Sequence, residues 1–250
     1  MSEHDLAGTT ARVTGASRGL GRGIATAVHK AGAKVVGVAR HRGPLEELGA
    51  ALGESFTAVS VDAADPTAAG RLIDVYNPTI LVLNAGTSPL MRPLQHHTWE
   101  TFSVNWQTDV RIAFHWLRES LLKPLRSGSR VVVVSSGAAL AGSPLSGGYA
   151  GAKATLRFIT GYAQEEATRA RRGITFTAVL PRITPLTDLG RPAVQAYAAR
   201  AGQSEEEYLQ QLGEPLSPEQ AGKAITELVS GPGPDQGAYL LTAAGLSPLP

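Results

Sequence analysis

Seven short runs rich in valine and other apolar residues recur along the chain and are separated by stretches long enough for helices. Several runs are apolar at consecutive positions, which is typical of parallel strands covered by helices on both faces. Strand alternating with helix predicts an α/β fold with a doubly wound, seven-stranded parallel sheet that binds ligands at the carboxyl ends of its strands. The predicted strands are 11–14, 34–38, 56–61, 80–83, 130–134, 175–180 and 238–242.

The composition is that of an ordinary globular protein, with 43% hydrophobic and 18% charged residues and a net charge of +2. The basic residues are scattered, which argues against nucleic acid or a membrane surface as a partner. The absence of cysteine excludes disulfides, a thiol nucleophile and cysteine metal ligands. Residues 1–10 are polar, and no run of about 18 apolar residues occurs, so we expect a cytoplasmic protein.

No linker or repeat divides the chain, so residues 1–250 are predicted to form a single domain. Residues 182–216 are expected to be irregular and to cover a substrate pocket after the sixth strand, since they contain prolines and an acidic run. The stretch 96–123 is predicted as one amphipathic helix. Its apolar stripe comprises Trp99, Phe102, Trp106, Val110, Phe114, Leu117 and Leu121.

A glycine-rich segment, "TGASRGLGRGIA", follows the first predicted strand directly. Glycine lets the backbone turn tightly and approach a ligand, and the N-terminus of the helix behind it offers free N–H groups to a pyrophosphate. A tight turn without a ligand is the alternative interpretation. The predicted dinucleotide contacts in this loop are Gly15, Ser17, Arg18, Gly19, Leu20 and Gly21.

The second predicted strand ends in "VARHRG", without the acidic residue that binds the ribose 2′-hydroxyl of NAD in many dinucleotide folds. Arg40, with Arg18 and with Arg42 as a further candidate, offers guanidinium groups to a 2′-phosphate, which predicts NADP(H). The alternative is that these arginines are solvated surface charges. Asp62 is free to reach an adenine amino group. Small residues that let the backbone pass close to the cofactor end the fourth strand at Asn84, Ala85 and Gly86.

The segment "GGYAGAKAT" places Tyr149 and Lys153 four positions apart, on one face of a helix. An ammonium about 5 Å from a phenolate stabilises it by roughly 3 kcal/mol at an effective dielectric constant of about 20. Such a tyrosine can donate and accept a proton near neutral pH. Ser135 and Ser136 end the fifth strand, where a hydroxyl can polarise a carbonyl, and neither lies in a hydrolase G-x-S-x-G elbow. The alternative is an unrelated tyrosine and lysine on a helix surface.

Over nearly its whole length, the sequence resembles the short-chain dehydrogenases/reductases of the short, single-domain kind. The resemblance rests on T-G-x-x-x-G-x-G at 14–21, N-A-G at 84–86 and Y-x-x-x-K at 149–153. A serine thirteen residues before the tyrosine selects Ser136, and the family's asparagine corresponds to Asn105. The resemblance implies a Rossmann-type fold and a homo-oligomer, either a dimer or a tetramer.

The resemblance also implies an NADP(H)-dependent oxidoreductase that transfers hydride between the nicotinamide and a ketone, aldehyde or secondary alcohol. Tyr149 is then the general acid/base, Lys153 tunes it and binds the nicotinamide ribose, and Ser136 orients the carbonyl. Asn105 helps to hold a water relay behind the lysine. The alternatives are a non-catalytic NADP-binding regulator and an isomerase or dehydratase on the same fold.

The segment after the sixth strand departs from the family pattern. Pro181 matches, but Arg182 replaces the usual glycine and Leu186 replaces the usual threonine, so Thr184 becomes a candidate for the nicotinamide contact. Arg182 either faces an acidic group of the substrate or packs at the surface. His96 and His97 are adjacent and so face different directions on a helix, which predicts no metal site.

Overall fold

The computed structural model describes residues 5–232 and 237–250. Within these ranges eight strands form one sheet in the order β3-β2-β1-β4-β5-β6-β7-β8, in which β1 to β7 are parallel and β8 is antiparallel to β7. The strands are β1 Thr10–Thr14, β2 Lys34–Ala39, β3 Phe56–Ser60, β4 Ile80–Leu83, β5 Arg130–Val134, β6 Thr175–Pro181, β7 Ala238–Thr242 and β8 Gly245–Leu249. The prediction of a doubly wound, mostly parallel sheet is therefore confirmed.

Helices connect the strands and cover both faces of the sheet. They are α1 Gly19–Lys30, α2 Arg42–Leu52, α3 Ala68–Tyr76, α4 Trp99–Asn105, α5 Arg111–Leu122, α6 Ala138–Ala141, α7 Gly147–Arg169, α8 Gly190–Ala201, α9 Glu205–Leu212 and α10 Pro218–Ser230. A 3₁₀ turn at Leu94–His96 precedes α4, and a π-helical turn at Trp106–Val110 joins α4 to α5.

The two apolar layers follow from the alternation of side chains along each strand. Val13 and Val82 face the layer that holds α1, α2 and α10. Leu81 and Leu83 face the layer that holds α3, α5 and α7. Consecutive apolar residues are needed because both faces are covered.

The strand order reverses direction between β1 and β4, and ligands bind such sheets in the crevice at that point. The two loops that leave these strands are joined by one side chain. The Thr14 hydroxyl oxygen accepts hydrogen bonds from the backbone N–H groups of Asn84 at 3.0 Å and of Ala85 at 3.1 Å. Thr14 therefore holds the glycine loop and the turn after β4 together at the base of the crevice.

The sheet has one strand more than the seven predicted. Gly245, with a φ of +109°, begins β8 after a short turn, and the chain then runs back along β7 to Leu249. The apolar pattern did not predict β8, which contains Pro248. Proline lacks a backbone donor, but an edge strand tolerates that loss.

Two other sequence expectations were wrong in detail. The stretch 96–123 is broken into a 3₁₀ turn, α4, the π-helical turn and α5, and the expected apolar stripe is partly exposed at Trp99, Trp106 and Phe114. Residues 182–216 contain two helices, α8 and α9. Ser204 caps α9, and the acidic run forms its first turn, where negative charge suits the helix dipole. No helix in the described ranges is long and apolar enough to cross a membrane.

Candidate active site

A cavity of about 810 Å³ opens at the carboxyl ends of the strands. Its volume is within the usual range for small-molecule and cofactor sites. Most of the predicted site residues line it, namely Gly15, Ser17, Arg18, Gly19, Leu20, Arg40, Asp62, Asn84, Ala85, Gly86, Ser136, Tyr149, Lys153, Pro181 and Thr184. The fold therefore brings together segments that are far apart in sequence.

Two predicted site residues, Gly21 and Asn105, lie behind the cavity wall. A Cβ atom on Gly21 would come within 2.1 Å of the Gly15 carbonyl oxygen, so only glycine lets α1 pack under its own loop. Asn105 is buried, and its side-chain N–H donates to the Thr87 carbonyl at 2.7 Å. Asn105 therefore anchors the segment that follows β4.

The glycine loop leaves the N-terminus of α1 without a cap. Arg18 is the N-cap residue, its side chain makes no capping hydrogen bond, and the first turn contains no acidic residue. The first N–H groups of a helix have no partner within it. Gly15 and Gly19, with φ values of +70° and +53°, direct the loop around this point. The residues present therefore fit a pyrophosphate group.

The three arginines predicted to contact a 2′-phosphate have different surroundings. Arg18 pairs with Asp188 at 3.2 Å, and because both side chains are more than two-thirds exposed, this pair contributes little stability. Arg42 pairs with Glu46 on the surface of α2 and does not line the cavity. Arg40 is exposed at the cavity rim and has no ion pair with a described residue. Of the three, Arg40 is the guanidinium most available to a ligand.

Tyr149 lies in the first turn of α7, and Lys153 lies one turn further on. The Lys153 Nζ is 5.5 Å from the centroid of the Tyr149 ring, so the two share one face of the helix as the spacing predicts. The Tyr149 hydroxyl makes no hydrogen bond to any residue in the described ranges. It is therefore free to meet a ligand in the cavity.

The two serines after β5 differ in what their hydroxyls contact. The Ser135 hydroxyl donates to the Lys153 backbone carbonyl at 2.6 Å and is buried, so it holds α7 against the strand. The Ser136 oxygen accepts from the Ala138 N–H at 3.2 Å, is half-buried and keeps its own proton for another acceptor. This difference is consistent with the choice of Ser136 as the polarising serine.

Sequence reasoning missed Asp109. The Lys153 Nζ lies 3.1 Å from Asp109 Oδ2, and both side chains are almost completely buried. Burial disfavours the charge on Lys153, but the nearby Asp109 carboxylate and Tyr149 outweigh it and raise the pKa of Lys153 above its ordinary value. The available signal was a carboxylate four residues after Asn105, hence on the same helical face and pointing inward.

The segment after β6 uses its threonines for structure. The Thr184 hydroxyl donates to the Leu216 carbonyl at 2.7 Å, so its proton is committed to the fold, and Thr184 lines the cavity. Leu186 is exposed. Arg182 is exposed and lines the cavity with Tyr208. No cluster of three or more potential ligands in residues 5–232 and 237–250 could hold a metal ion.

The doubly wound sheet, the uncapped helix behind a glycine loop and the crevice between β1 and β4 define the class of α/β nucleotide-binding proteins. Within that class, the model of the family described as short chain dehydrogenase matches residues 9–198. The chain therefore belongs to the short-chain dehydrogenase family, which is a family of oxidoreductases.

The comparisons with individual proteins agree with this assignment. The chain is 32% identical to a 3-oxoacyl-[acyl-carrier-protein] reductase of Rickettsia prowazekii over 179 residues, which cover 71% of this chain and 73% of the relative. A putative NAD(P)-dependent gluconate 5-dehydrogenase from Beutenbergia cavernae, solved with bound NADP at low occupancy, superposes with a TM-score of 0.77, 27% identity and 91% coverage of each chain. A 3-ketoacyl-(acyl-carrier-protein) reductase from Brucella melitensis, complexed with NADH, has the same fold, with a TM-score of 0.75, 23% identity and coverage of 91% and 93%.

Proposed function

We propose that the protein is an NADP(H)-dependent oxidoreductase that interconverts a ketone or aldehyde and the corresponding alcohol. One observation carries the proposal: Tyr149, Lys153 and Ser136 line the same cavity as the glycine loop and Arg40. A proton donor and a dinucleotide site therefore share one continuous space. The family assignment and the NADP bound to the Beutenbergia structure support a nicotinamide cofactor.

The chain's own residues can bind such a cofactor end to end. The uncapped N-terminus of α1 would receive the pyrophosphate, and Arg40, directly after β2, would bind the 2′-phosphate of the adenosine ribose. Asp62, beyond β3, would bind the adenine amino group, and its carboxylate also accepts from the Ala64 N–H at 2.9 Å. The Asn84 to Gly86 turn, which lines the same cavity, would lie next to the nicotinamide half of the cofactor.

The bound nicotinamide supplies or accepts the hydride, and the protein supplies the proton. In reduction, the Ser136 hydroxyl donates a hydrogen bond to the substrate carbonyl and polarises it. Tyr149 gives its phenolic proton to the oxygen as the carbon accepts hydride, and in oxidation the same oxygen takes the proton back. Lys153 stabilises the phenolate left on Tyr149 and contacts the ribose. Each reduction consumes one hydride and one proton per carbonyl.

A panel of ketones and aldehydes tested with NADPH examines this function directly. The expected result is loss of NADPH absorbance in proportion to the alcohol formed. A non-catalytic regulator would bind NADPH without consuming it, whereas an isomerase or dehydratase would convert substrate with no net NADPH consumption. Each alternative therefore has its own outcome.

Replacing Arg40 by alanine is expected to weaken NADPH binding by about ten- to hundredfold, because hydrogen bonds to a charged group contribute about 1.5–3 kcal/mol. NADH binding should remain unchanged, since NADH lacks the 2′-phosphate. Arg42→Ala is the matched control, because Arg42 pairs with Glu46 away from the cavity. Fluorescence titration with both cofactors measures the effect. Equal losses for NADH and NADPH would argue against 2′-phosphate recognition.

We also propose that the protein forms a homo-oligomer, either a dimer or a tetramer, in the cytoplasm; a chain without cysteine suits a reducing compartment. Apolar side chains are exposed on adjoining helices, with Phe114 on α5 and Phe158 and Tyr162 on α7. Sedimentation velocity should give at least twice the mass of one chain, and Phe158→Glu should reduce it. Leu94→Glu, at an exposed apolar site outside these helices, should leave it unchanged. A monomeric wild type would refute the proposal.

A further inference from the structure

Lys153 acts in the mechanism above, but its buried partner Asp109 has no role there. Asp109 lies on the π-helical turn between α4 and α5 and is 1% exposed. One carboxylate oxygen, Oδ1, accepts from the Thr87 N–H at 2.9 Å, and the other, Oδ2, lies 3.1 Å from the Lys153 Nζ. A carboxylate is costly to bury, and this one has a single cation beside it.

The space around this carboxylate is closely filled. A Cβ atom on Gly86 would lie 2.8 Å from Asp109 Oδ2, so the turn after β4 approaches the carboxylate with no side chain between them. Oδ2 has no hydrogen-bond partner among the described residues apart from its ion pair with Lys153. The π-helical turn, the turn after β4 and α7 therefore converge on one charge pair.

The other groups that face the Lys153 ammonium cannot replace the carboxylate. From β5, the Val134 carbonyl accepts from Nζ at 3.4 Å, which is a long contact. From α7 itself, the Tyr149 ring lies 5.5 Å away. The titratable groups that act on the pKa of Lys153 are Asp109 and Tyr149, against the effect of burial.

We propose that Asp109 is a positioning residue that keeps Lys153 charged and fixed beside Tyr149. The carboxylate contacts the ammonium directly. Thr87 links Asp109 to Asn105, because its N–H donates to Asp109 and its carbonyl accepts from the Asn105 side chain. The consequence for catalysis rests on the proposed function, but the charge pair itself does not.

The expected change on removing the charge has a definite sign. In the wild type, the pKa of Lys153 is raised above its ordinary value, so the ammonium persists at neutral and moderately alkaline pH. Asp109→Asn preserves the size of the side chain and an acceptor for the Thr87 N–H but removes the negative charge. Burial, the largest single influence on Lys153, is then opposed only by Tyr149, so the pKa of the lysine falls.

Lysine side-chain NMR of the cofactor-free protein tests this charge pair. The chain has five lysines, and Lys153→Arg identifies the signal of Lys153 by its loss. In the wild type, Lys153 should lose its proton at higher pH than the other four lysines. In Asp109→Asn it should lose its proton at lower pH than those four.

Asp74→Asn is the matched control, because Asp74 pairs with Lys123 at an exposed site. It should affect only the signal of Lys123. If the wild-type Lys153 loses its proton at the same pH as the surface lysines, or at a lower pH, the proposal is wrong. This measurement needs no variant, so the proposal can be tested even if Asp109→Asn does not fold. A titration of Lys153 that is identical in the wild type and in folded Asp109→Asn overturns it as well.

The pH dependence of alcohol oxidation tests whether Asp109 affects catalysis. In Asp109→Asn, activity should begin to fall at lower pH on the alkaline side, because the buried lysine becomes neutral there. A purely structural role would reduce activity equally at all pH values. If the wild type has no NADPH-dependent activity, the proposed function is wrong. The NMR titration would still decide whether Asp109 keeps Lys153 charged.

Discussion

Tyr149→Phe is expected to lower kcat for NADPH-dependent carbonyl reduction by about a hundredfold to ten-thousandfold, the range that a positioned general acid contributes. The hydroxyl is the only part of the side chain removed, and it makes no hydrogen bond to any described residue. The fold should therefore be unaffected. The cavity also keeps the uncapped α1 terminus and Arg40, so NADPH should still bind.

Two measurements separate a loss of catalysis from a loss of cofactor binding. Steady-state kinetics measures the loss of kcat, and NADPH fluorescence titration measures the retained binding. Tyr162→Phe is the control, because Tyr162 lies on the same helix α7 but is exposed. Unchanged activity in Tyr149→Phe would contradict the role of Tyr149 and favour an enzyme whose proton comes from another group.

The pattern of apolar runs predicted the sheet because parallel strands buried on both faces need consecutive apolar residues. The prediction stopped at β7, since Gly245 and Pro248 are residues that usually end a strand. It also treated 96–123 as one continuous helix. Periodicity alone cannot locate a π-helical turn, which shifts by one residue the face that the following side chains present.

Sequence motifs predicted that Tyr149 and Lys153 share a helical face, but they did not predict the ion pairs that these segments make. Tyr149 and Lys153 share a helical face because their spacing is local. The pairing of Lys153 with Asp109, 44 positions earlier in the chain, depends on how α7 packs against the π-helical turn. The same limit applies to Arg18, whose partner Asp188 comes from the segment after β6.

The region 182–216 shows why composition misled the sequence interpretation. Prolines and clustered glutamates are common in irregular segments, yet here one proline and the glutamates lie at helix starts. Pro192 lies in the first turn of α8, where proline needs no donor, and the glutamates occupy the first turn of α9. Residues 182–216 are therefore more regular than their composition indicates, and Tyr208 on α9 lines the cavity.

Arg12 shows that a buried charge can also lie outside the site. Arg12 is fully buried on β1, with its guanidinium 5.1 Å from the Tyr76 ring centroid and 5.6 Å from that of Trp116. One nitrogen donates to the Leu72 carbonyl, but Nε and Nη1 have no partner among the described residues. Burial lowers the pKa of Arg12 to about 10, with Tyr76 opposing the change.

We expect Arg12→Met to raise the free energy of unfolding by up to about 2 kcal/mol, the difference between the cost of burying the charge and the smaller estimate for its ring contacts. A fall in the arginine pKa from 12.5 to about 10 corresponds to about 3 kcal/mol of unfavourable free energy for the charged form. The arginine is charged in both the folded and the unfolded state at pH values well below 10, so this cost is present in full near neutral pH. Contacts of the guanidinium with two rings return about 0.5–2 kcal/mol each. Methionine fills a similar space without the charge.

Arg12→Ala separates the charge from the packing, because it also removes the charge but leaves a cavity beside Trp116. It should be less stable than Arg12→Met by about 2–4 kcal/mol, the usual cost of a large-to-small change in a core. Arg130→Met is the control on β5. Arg130 donates hydrogen bonds to Thr175 and Gly231, so this variant should lose those bonds and be less stable than the wild type. Urea unfolding near neutral pH measures all three variants. If Arg12→Met proves less stable than the wild type, the ring contacts and the Leu72 hydrogen bond outweigh the cost of burying the charge, and the arginine stabilises the core that supports β1.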